Sequence, residues 1–303
     1  MAEARKYPEE AKQIFYPLTL PELFTTWNNF PAAVLCAGAT SWSFHRENGH
    51  RIFIPDQIIS LNEVDELKRF SRTERYLEIG AIVRLDEIVN MGKVVPDVFT
   101  RALDAVGGPQ LRNLAAIGGH ICYPFKQLDA IAPLIALDAR YELRTVSTSR
   151  WIPASRFSSI PGPPPINAQE LLTRIRIPLE LWNYSAYKKF TDPYTGDDTA
   201  GSMVFLVRVQ KNILTDIRIV YAGRMVIRDK NSEAVLAGKQ LPLTDRDLAH
   251  FMGLWADHLS AVEPAKAQDD VSPHSVGMVR DLNALMRAKM FNFIESCIRE
   301  LAE

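Results

Sequence analysis

The chain has 303 residues, with 35 Lys and Arg against 36 Asp and Glu and a formal net charge of −1, so nothing in the charge balance points to nucleic acid or an anionic membrane surface as the partner. Its 47% hydrophobic and 23% charged residues exclude a disordered, collagenous or disulfide-framework chain, and at one domain per roughly 150 residues the length suits about two domains. Cys36, Cys122 and Cys297 lie far apart and form no CxxC pair and no Cys/His metal spacing, too few thiolates for an iron–sulfur cluster held by this chain alone.

In chain order, residues 21–30 read as a helix and 33–37 as a buried strand that ends in the small-residue turn Gly38-Ala39-Thr40-Ser41. A strand at 51–55 or 57–61 should follow, completing a small α/β unit. Residues 76–83 (YLEIGAIV) read as a strong strand, 85–91 and 98–106 as helices, and 129–139 as an apolar helix, after which 140–146 returns to β character. Four prolines and a glycine within 158–167 mark a crossing loop near the boundary between halves. Segments 170–178 and 185–191 lead into two long strand-like runs, 203–210 and 213–223, joined at Lys211-Asn212 as a hairpin. The remainder reads as helices at 232–237, 245–259 and 276–301, so this block is expected to pack helices on an antiparallel sheet. No N-terminal apolar core marks a signal peptide, and no stretch reaches the ~18 to 20 apolar residues of a bilayer span, so the expected location is cytoplasmic.

Two segments carry the chemistry. Ala37-Gly38-Ala39-Thr40-Ser41, placed after a buried strand, can converge backbone N–H groups and two hydroxyls on an anion such as a pyrophosphate; a tight strand-ending turn would use the same residues. The second runs from Gly107 to His120, where paired glycines allow positive φ or close approach of a flat ring or phosphate, or simply make a bulge. Asp129 follows ten positions after Gly119, as a site residue or as a helix N-cap. His45 and His50 flank an Arg-Glu-Asn-Gly turn read as a solvated hairpin tip, and His250 and His258 sit too far apart on one helix to share a metal. No GxSxG, P-loop or ordered Ser/His/Asp set is present.

Taken together, these motifs resemble the FAD-binding (medium) subunit of the molybdenum hydroxylases, the xanthine dehydrogenase and carbon monoxide dehydrogenase family. The matching residues, in order, are Ala37-Gly38-Ala39-Thr40, Leu77-Glu78-Ile79-Gly80-Ala81, Leu111-Arg112-Asn113, Ala116-Ile117-Gly118-Gly119-His120, Asp129 and Leu137-Asp138-Ala139. Further on, Glu170-Leu171-Leu172-Thr173, Ala186-Tyr187-Lys188-Lys189, Asp198-Thr199-Ala200, Tyr221-Ala222-Gly223 and Glu233-x-x-Leu236-x-Gly238 continue the pattern.

The resemblance implies an α+β fold: a two-lobed vanillyl-alcohol-oxidase-type FAD-binding domain over residues 1–178, with lobes of about 1–61 and 62–178, and a smaller α+β C-terminal domain over 179–303. FAD is expected with its pyrophosphate on Ala37, Gly38, Ala39, Thr40 and Ser41 and on the Ala116-Ile117-Gly118-Gly119 backbone. Asp129 is expected to make a polar contact to the cofactor, Leu172 to pack near the ring, and Lys188 or Lys189 to sit beside the isoalloxazine; either lysine could equally be a solvated strand residue. A molybdopterin-binding large subunit and a 2Fe–2S small subunit are the implied partners, with NAD or another acceptor taking the electrons. Ala39 stands where the family has its second glycine, at a cost of about 1 to 2 kcal/mol if the position needs positive φ. Ala116 replaces a threonine, His120 an asparagine, and Gly223-Arg224 a glycine pair, while the arginine after the lysine strand has no counterpart near Asp192-Pro193. Two rival expectations share the fold: a scaffold paralogue that has lost FAD, and a stand-alone flavoenzyme, for which His120 and Cys122 keep covalent attachment open.

Overall fold

The computed structural model describes residues 12–41, 54–124, 127–158, 165–191, 201–223, 225–262 and 273–301, with backbone alone at 262 and 273–283. Expectations for Trp42, His45, His50, residues 51–53, 159–164, Asp192-Pro193, 198–200 and Arg224 lie outside the described residues.

The first lobe is a parallel three-stranded sheet in the order β1-β3-β2, from β1 (Gln13–Phe15), β2 (Val34–Cys36) and β3 (Gln57–Ser60). Helix α1 (Leu20–Asn29) starts where the Thr19 hydroxyl accepts the Glu22 N–H at 3.3 Å, and it buries Leu20, Leu23 and Phe24 against Ile59, Leu61 and Leu67. Of the two expected positions for the second strand, 57–61 holds β3, while 51–53 of the other lie outside the described residues.

The second sheet is antiparallel, in the order β4-β5-β8-β6-β7: β4 (Phe70–Arg72), β5 (Tyr76–Gly80), β6 (Arg140–Arg144), β7 (Ser149–Pro153) and β8 (Leu171–Pro178). Ile175 and Ile177 of β8 point inward, while Arg174 and Arg176 form an outer ladder with Glu78 and Glu142. The strand expected over 76–83 stops at Gly80, where the chain turns with the Val83 N–H donating to Gly80 O at 3.2 Å; a Cβ on Gly80 would stand 2.1 Å from the Leu67 carbonyl oxygen.

Over the inner face lie α2 (Leu85–Asn90), α3 (Asp97–Asp104), α4 (Pro109–Leu114), α5 (Ile117–Ile121) and α6 (Ile131–Ala136), with α7 (Ala154–Phe157) after β7. The helix expected over 129–139 is only six residues long: Asp138 takes φ +52° and ends it, and Ala130 rather than Asp129 occupies the N-cap. The segment read as a glycine loop, 107–120, contains two short helices.

The third sheet, antiparallel in the order β12-β11-β10-β9, comprises β9 (Tyr184–Phe190), β10 (Gly201–Gln210), β11 (Ile213–Gly223) and β12 (Val226–Ile227). The expected hairpin forms, with Lys211 and Asn212 at φ +51° and +64°, as a two-residue turn of matching twist requires. Alternate residues divide between two cores. Val204, Leu206, Val220 and Ala222 join the helix layer, whereas Met203, Phe205, Val207, Ile217 and Ile219 pack on α8 (Lys230–Leu236), α9 (Asp245–Val262) and α10 (Pro273–Glu300).

Candidate functional site

The two small-residue segments meet backbone to backbone. A Cβ on Gly38 would stand 1.9 Å from the Leu114 carbonyl oxygen, so only glycine lets the Ala37–Ser41 turn approach the end of α4 this closely. Next to it, Ala39 holds φ +53°, the left-handed conformation that the sequence left as a condition. Its methyl is exposed, so no packing offsets the strain.

In the second segment neither Gly118 nor Gly119 uses positive φ; both lie in α5. The amides of Ile117 and Gly118 are donated inward, to Val83 O at 3.0 Å and Ala81 O at 2.7 Å, and a Cβ on Gly118 would stand 2.7 Å from Ala81 O. Ala116, buried at the N-cap, has no side-chain hydrogen bond. Gly119 differs: it is exposed and a Cβ there meets nothing within 4 Å. Of the expected backbone surface over 116–119, Gly119 is the part that is open to a ligand.

His120 is 6% exposed, and its Nε2 accepts the Ala130 N–H at 3.2 Å, which ties α5 to the turn before α6. Burial pushes its pKa down to about 4, against the opposing pull of Asp129, so the ring is neutral at pH 7. Cys122 is half-buried, and burial pushes its thiol up to about 12, which leaves it protonated and a poor nucleophile. Neither group is prepared for covalent attachment.

Asp129 does not cap α6. Its Oδ1 accepts the Tyr187 hydroxyl at 2.8 Å and lies 3.4 Å from Lys189 Nζ, which donates to Ala105 O at 2.8 Å. A carboxylate this deeply buried must be paired, and two side chains from β9 do so. Burial, then the Asp129 charge, raises the Tyr187 pKa. Beside this cluster Gln127 donates to Gly223 O at 3.0 Å, so the Tyr221–Gly223 strand end meets the chain leading into Asp129. The two lysines part company, as period 2 demands: Lys189 shares the Tyr187 face, whereas Lys188 lies on the opposite face and is exposed. The charge of Lys189 is already shared with Asp129. Leu172 is 3% exposed and paired with Leu143 inside the second sheet, in the core beneath the helix layer. Tyr187 was not singled out in the sequence; its i, i+2 relation to a lysine on the same strand was the available signal.

Among the described residues there is no group of three His, Cys, Asp or Glu side chains that could hold a metal, and no helix is long and apolar enough to cross a membrane.

A family model described as the FAD binding domain in molybdopterin dehydrogenase matches residues 9–180. The glyceraldehyde dehydrogenase medium chain of Sulfolobus acidocaldarius is 29% identical over 193 residues, covering 63% of this chain and 67% of that one. The xanthine dehydrogenase FAD-binding subunit of Escherichia coli O157:H7 is 24% identical over 171 residues, 53% of this chain and 55% of its own length. The match to Arabidopsis thaliana xanthine dehydrogenase 2, 28% identical, spans 74% of this chain but 18% of that protein. Among solved structures, a chain of quinoline 2-oxidoreductase from Pseudomonas putida 86 superposes with TM-score 0.78 at 19% identity, over 98% of this chain and 100% of that one. A chain of carbon monoxide dehydrogenase from Hydrogenophaga pseudoflava gives 0.77 at 22%, over 96% and 98%.

Proposed function

Because the chain belongs to the family of FAD-binding domains of molybdopterin dehydrogenases, we propose that it serves as the flavoprotein subunit of a molybdenum hydroxylase. Electrons from substrate oxidation at a molybdopterin-binding large subunit would cross a 2Fe–2S small subunit, reach FAD here and leave to NAD or another acceptor. The family match carries the reading, and the contact between the two small-residue segments supports it: a cradle with Gly119 open and with the Thr40 and Ser41 hydroxyls nearby in sequence suits a pyrophosphate. Bound FAD would supply the redox chemistry, and the protein placement and electrostatics. In this reading Ala37–Ser41 and Gly119 hold the pyrophosphate, with Ile117 and Gly118 fixing the position of Gly119 by their inward bonds and Ala116 buried at the start of the helix. Asp129 and Lys189 form the polar side of the ring pocket, Leu172 supports it from the core, and Lys188 contributes only at the rim. Residues 1–178 would be the FAD-binding domain and 179–303 the C-terminal domain, in a cytoplasmic heteromeric complex.

A flavin spectrum in freshly purified protein, and co-purification with iron–sulfur and molybdenum subunits, test this reading. A colourless protein that still assembles with them would favour the second reading, a scaffold that has lost FAD, which the left-handed Ala39 supports. A yellow protein that never associates with such subunits would sink the subunit assignment.

A further inference from the structure

Arg84 stands at the seam of the two segments, and no motif pointed to it. Its Nη1 donates to Leu114 O at 2.6 Å, the carbonyl against which Gly38 packs, and lies 3.2 Å from where a Gly38 Cβ would be. Its Nη2 donates to Asn62 Oδ1 at 2.7 Å, and Asn62 Nδ2 donates in turn to Ala37 O at 3.1 Å. The Arg84 backbone forms an isolated antiparallel bridge with Ala116. One side chain thus grips the second segment directly and the first through a single amide.

Around the same layer, Arg112 faces Asp86 and Asp104, Arg218 faces Asp138 and Asp216, and Arg228 faces Asp138 and Glu233. Arg84, among the described residues, bonds only to neutral oxygens, and its field acts to lower the pKa of Cys36, whose thiol is raised overall by burial. A guanidinium that is not neutralised, next to the Gly38 turn, favours a bound anion there.

We propose that Arg84, with Asn62, is a positioning residue that locks the two segments in register and sets the positive potential at the pyrophosphate seat. The inference rests on FAD lying across these segments. The test uses the full chain, stripped of flavin, with FAD and ADP as probes at two salt concentrations and the thermal midpoint of the apoprotein as fold control. Arg84→Gln should weaken both ligands by roughly tenfold or more, as loss of a charge-assisted contact does, and should flatten the salt dependence of binding. Asn62→Ala, which keeps the charge but drops the link to Ala37, should weaken both ligands less and keep the salt dependence; it also carries the test if Arg84→Gln does not fold. Arg84→Lys, a point charge in place of a planar fork, should keep the salt dependence and restore only part of the affinity. A lowered thermal midpoint with FAD and ADP affinities within about twofold of wild type would overturn the proposal and leave Arg84 a merely structural residue. Failure of the wild-type chain to bind either probe would instead overturn the reading of the site on which the proposal stands.

Discussion

Ala39→Gly is the sharpest probe of the first segment, because the structure fixes both the backbone conformation and the exposure of the methyl that is removed. Ala39 sits at φ +53° with its methyl exposed, so removing the Cβ relieves left-handed strain of about 1 to 2 kcal/mol and forfeits little packing. Glycine gives back about 0.4 to 1 kcal/mol through its freer unfolded chain. The net gain in the FAD-loaded protein is about 0.5 to 1 kcal/mol, a rise of about 1 to 3 °C in midpoint for a chain this long. Urea unfolding of free and loaded protein, with a flavin titration, divides the gain: strain borne in both states raises the stability of the free chain, and strain borne only in the complex tightens FAD. Gly92→Ala is the mirror control, since Gly92 has φ +62° and open space around a new Cβ, so it should lose what Ala39→Gly gains. A loaded Ala39→Gly protein no more stable than wild type, beside a destabilised Gly92→Ala, would refute the reasoning.

The two glycines proposed at the cofactor should respond in opposite ways. At Gly119 a Cβ meets nothing within 4 Å and the backbone is helical, so the unfolding free energy of Gly119→Val should stay within about 1 kcal/mol of wild type while titration shows FAD affinity lost. Gly38→Ala drives a Cβ into the Leu114 carbonyl and should cost at least ~2 kcal/mol in urea unfolding. His120 should leave a signature in acid. Its folded pKa of about 4 lies below its ordinary 6.5, so the unfolded chain binds the extra proton between those values. Its contribution is complete above pH 6.5 and is lost as pH falls toward 4, by up to ~3 kcal/mol. Stability curves of His120→Gln should run flatter than wild type across that window, and parallel curves would rule the mechanism out.

What was legible in the sequence follows from burial and period. The alternation in β10 and β11, with the left-handed pair Lys211-Asn212 between them, was readable because each strand has two committed faces. The strands β1, β4 and β7 were missed: each lies at a sheet edge, and QIF, FSR and SRWIP are short with largely exposed side chains, so no period develops. Helices α4 and α5 were hidden by Gly107, Gly108, Pro109, Gly118 and Gly119, which signal loop locally; in α5, tertiary bonds to Val83 and Ala81 override that signal. At the candidate site, the separation of Lys189 from Lys188 was deducible from period 2. The Tyr187 to Asp129 bond spans 58 positions and the Arg84 contacts 22 and 30, distances over which one sequence carries no pairing information.

The family match ends at residue 180, yet the core beneath it does not. Helix α6, Ile-Ala-Pro-Leu-Ile-Ala, is buried at all six positions, which a helix with one wet face cannot be. It is enclosed because Val204, Leu206, Val220 and Ala222 of the third sheet complete the core that α6 shares with the second. Arg218 donates to Ala136 O at 2.8 Å at its C-terminal end, and Tyr187 holds Asp129 before its N-terminal end. Ending the chain after Pro178 would strip away three large apolar partners and expose the facing side of α6. At about 1.5 to 3 kcal/mol per large buried side chain, that loss alone is about 5 to 9 kcal/mol, comparable to the whole stability of an ordinary domain. The 1–178 fragment should therefore keep far-UV signal, lose near-UV signal and bind a hydrophobic dye. A fragment that unfolded cooperatively in urea near the midpoint of the full chain would show that the third sheet is an attachment rather than part of the same core.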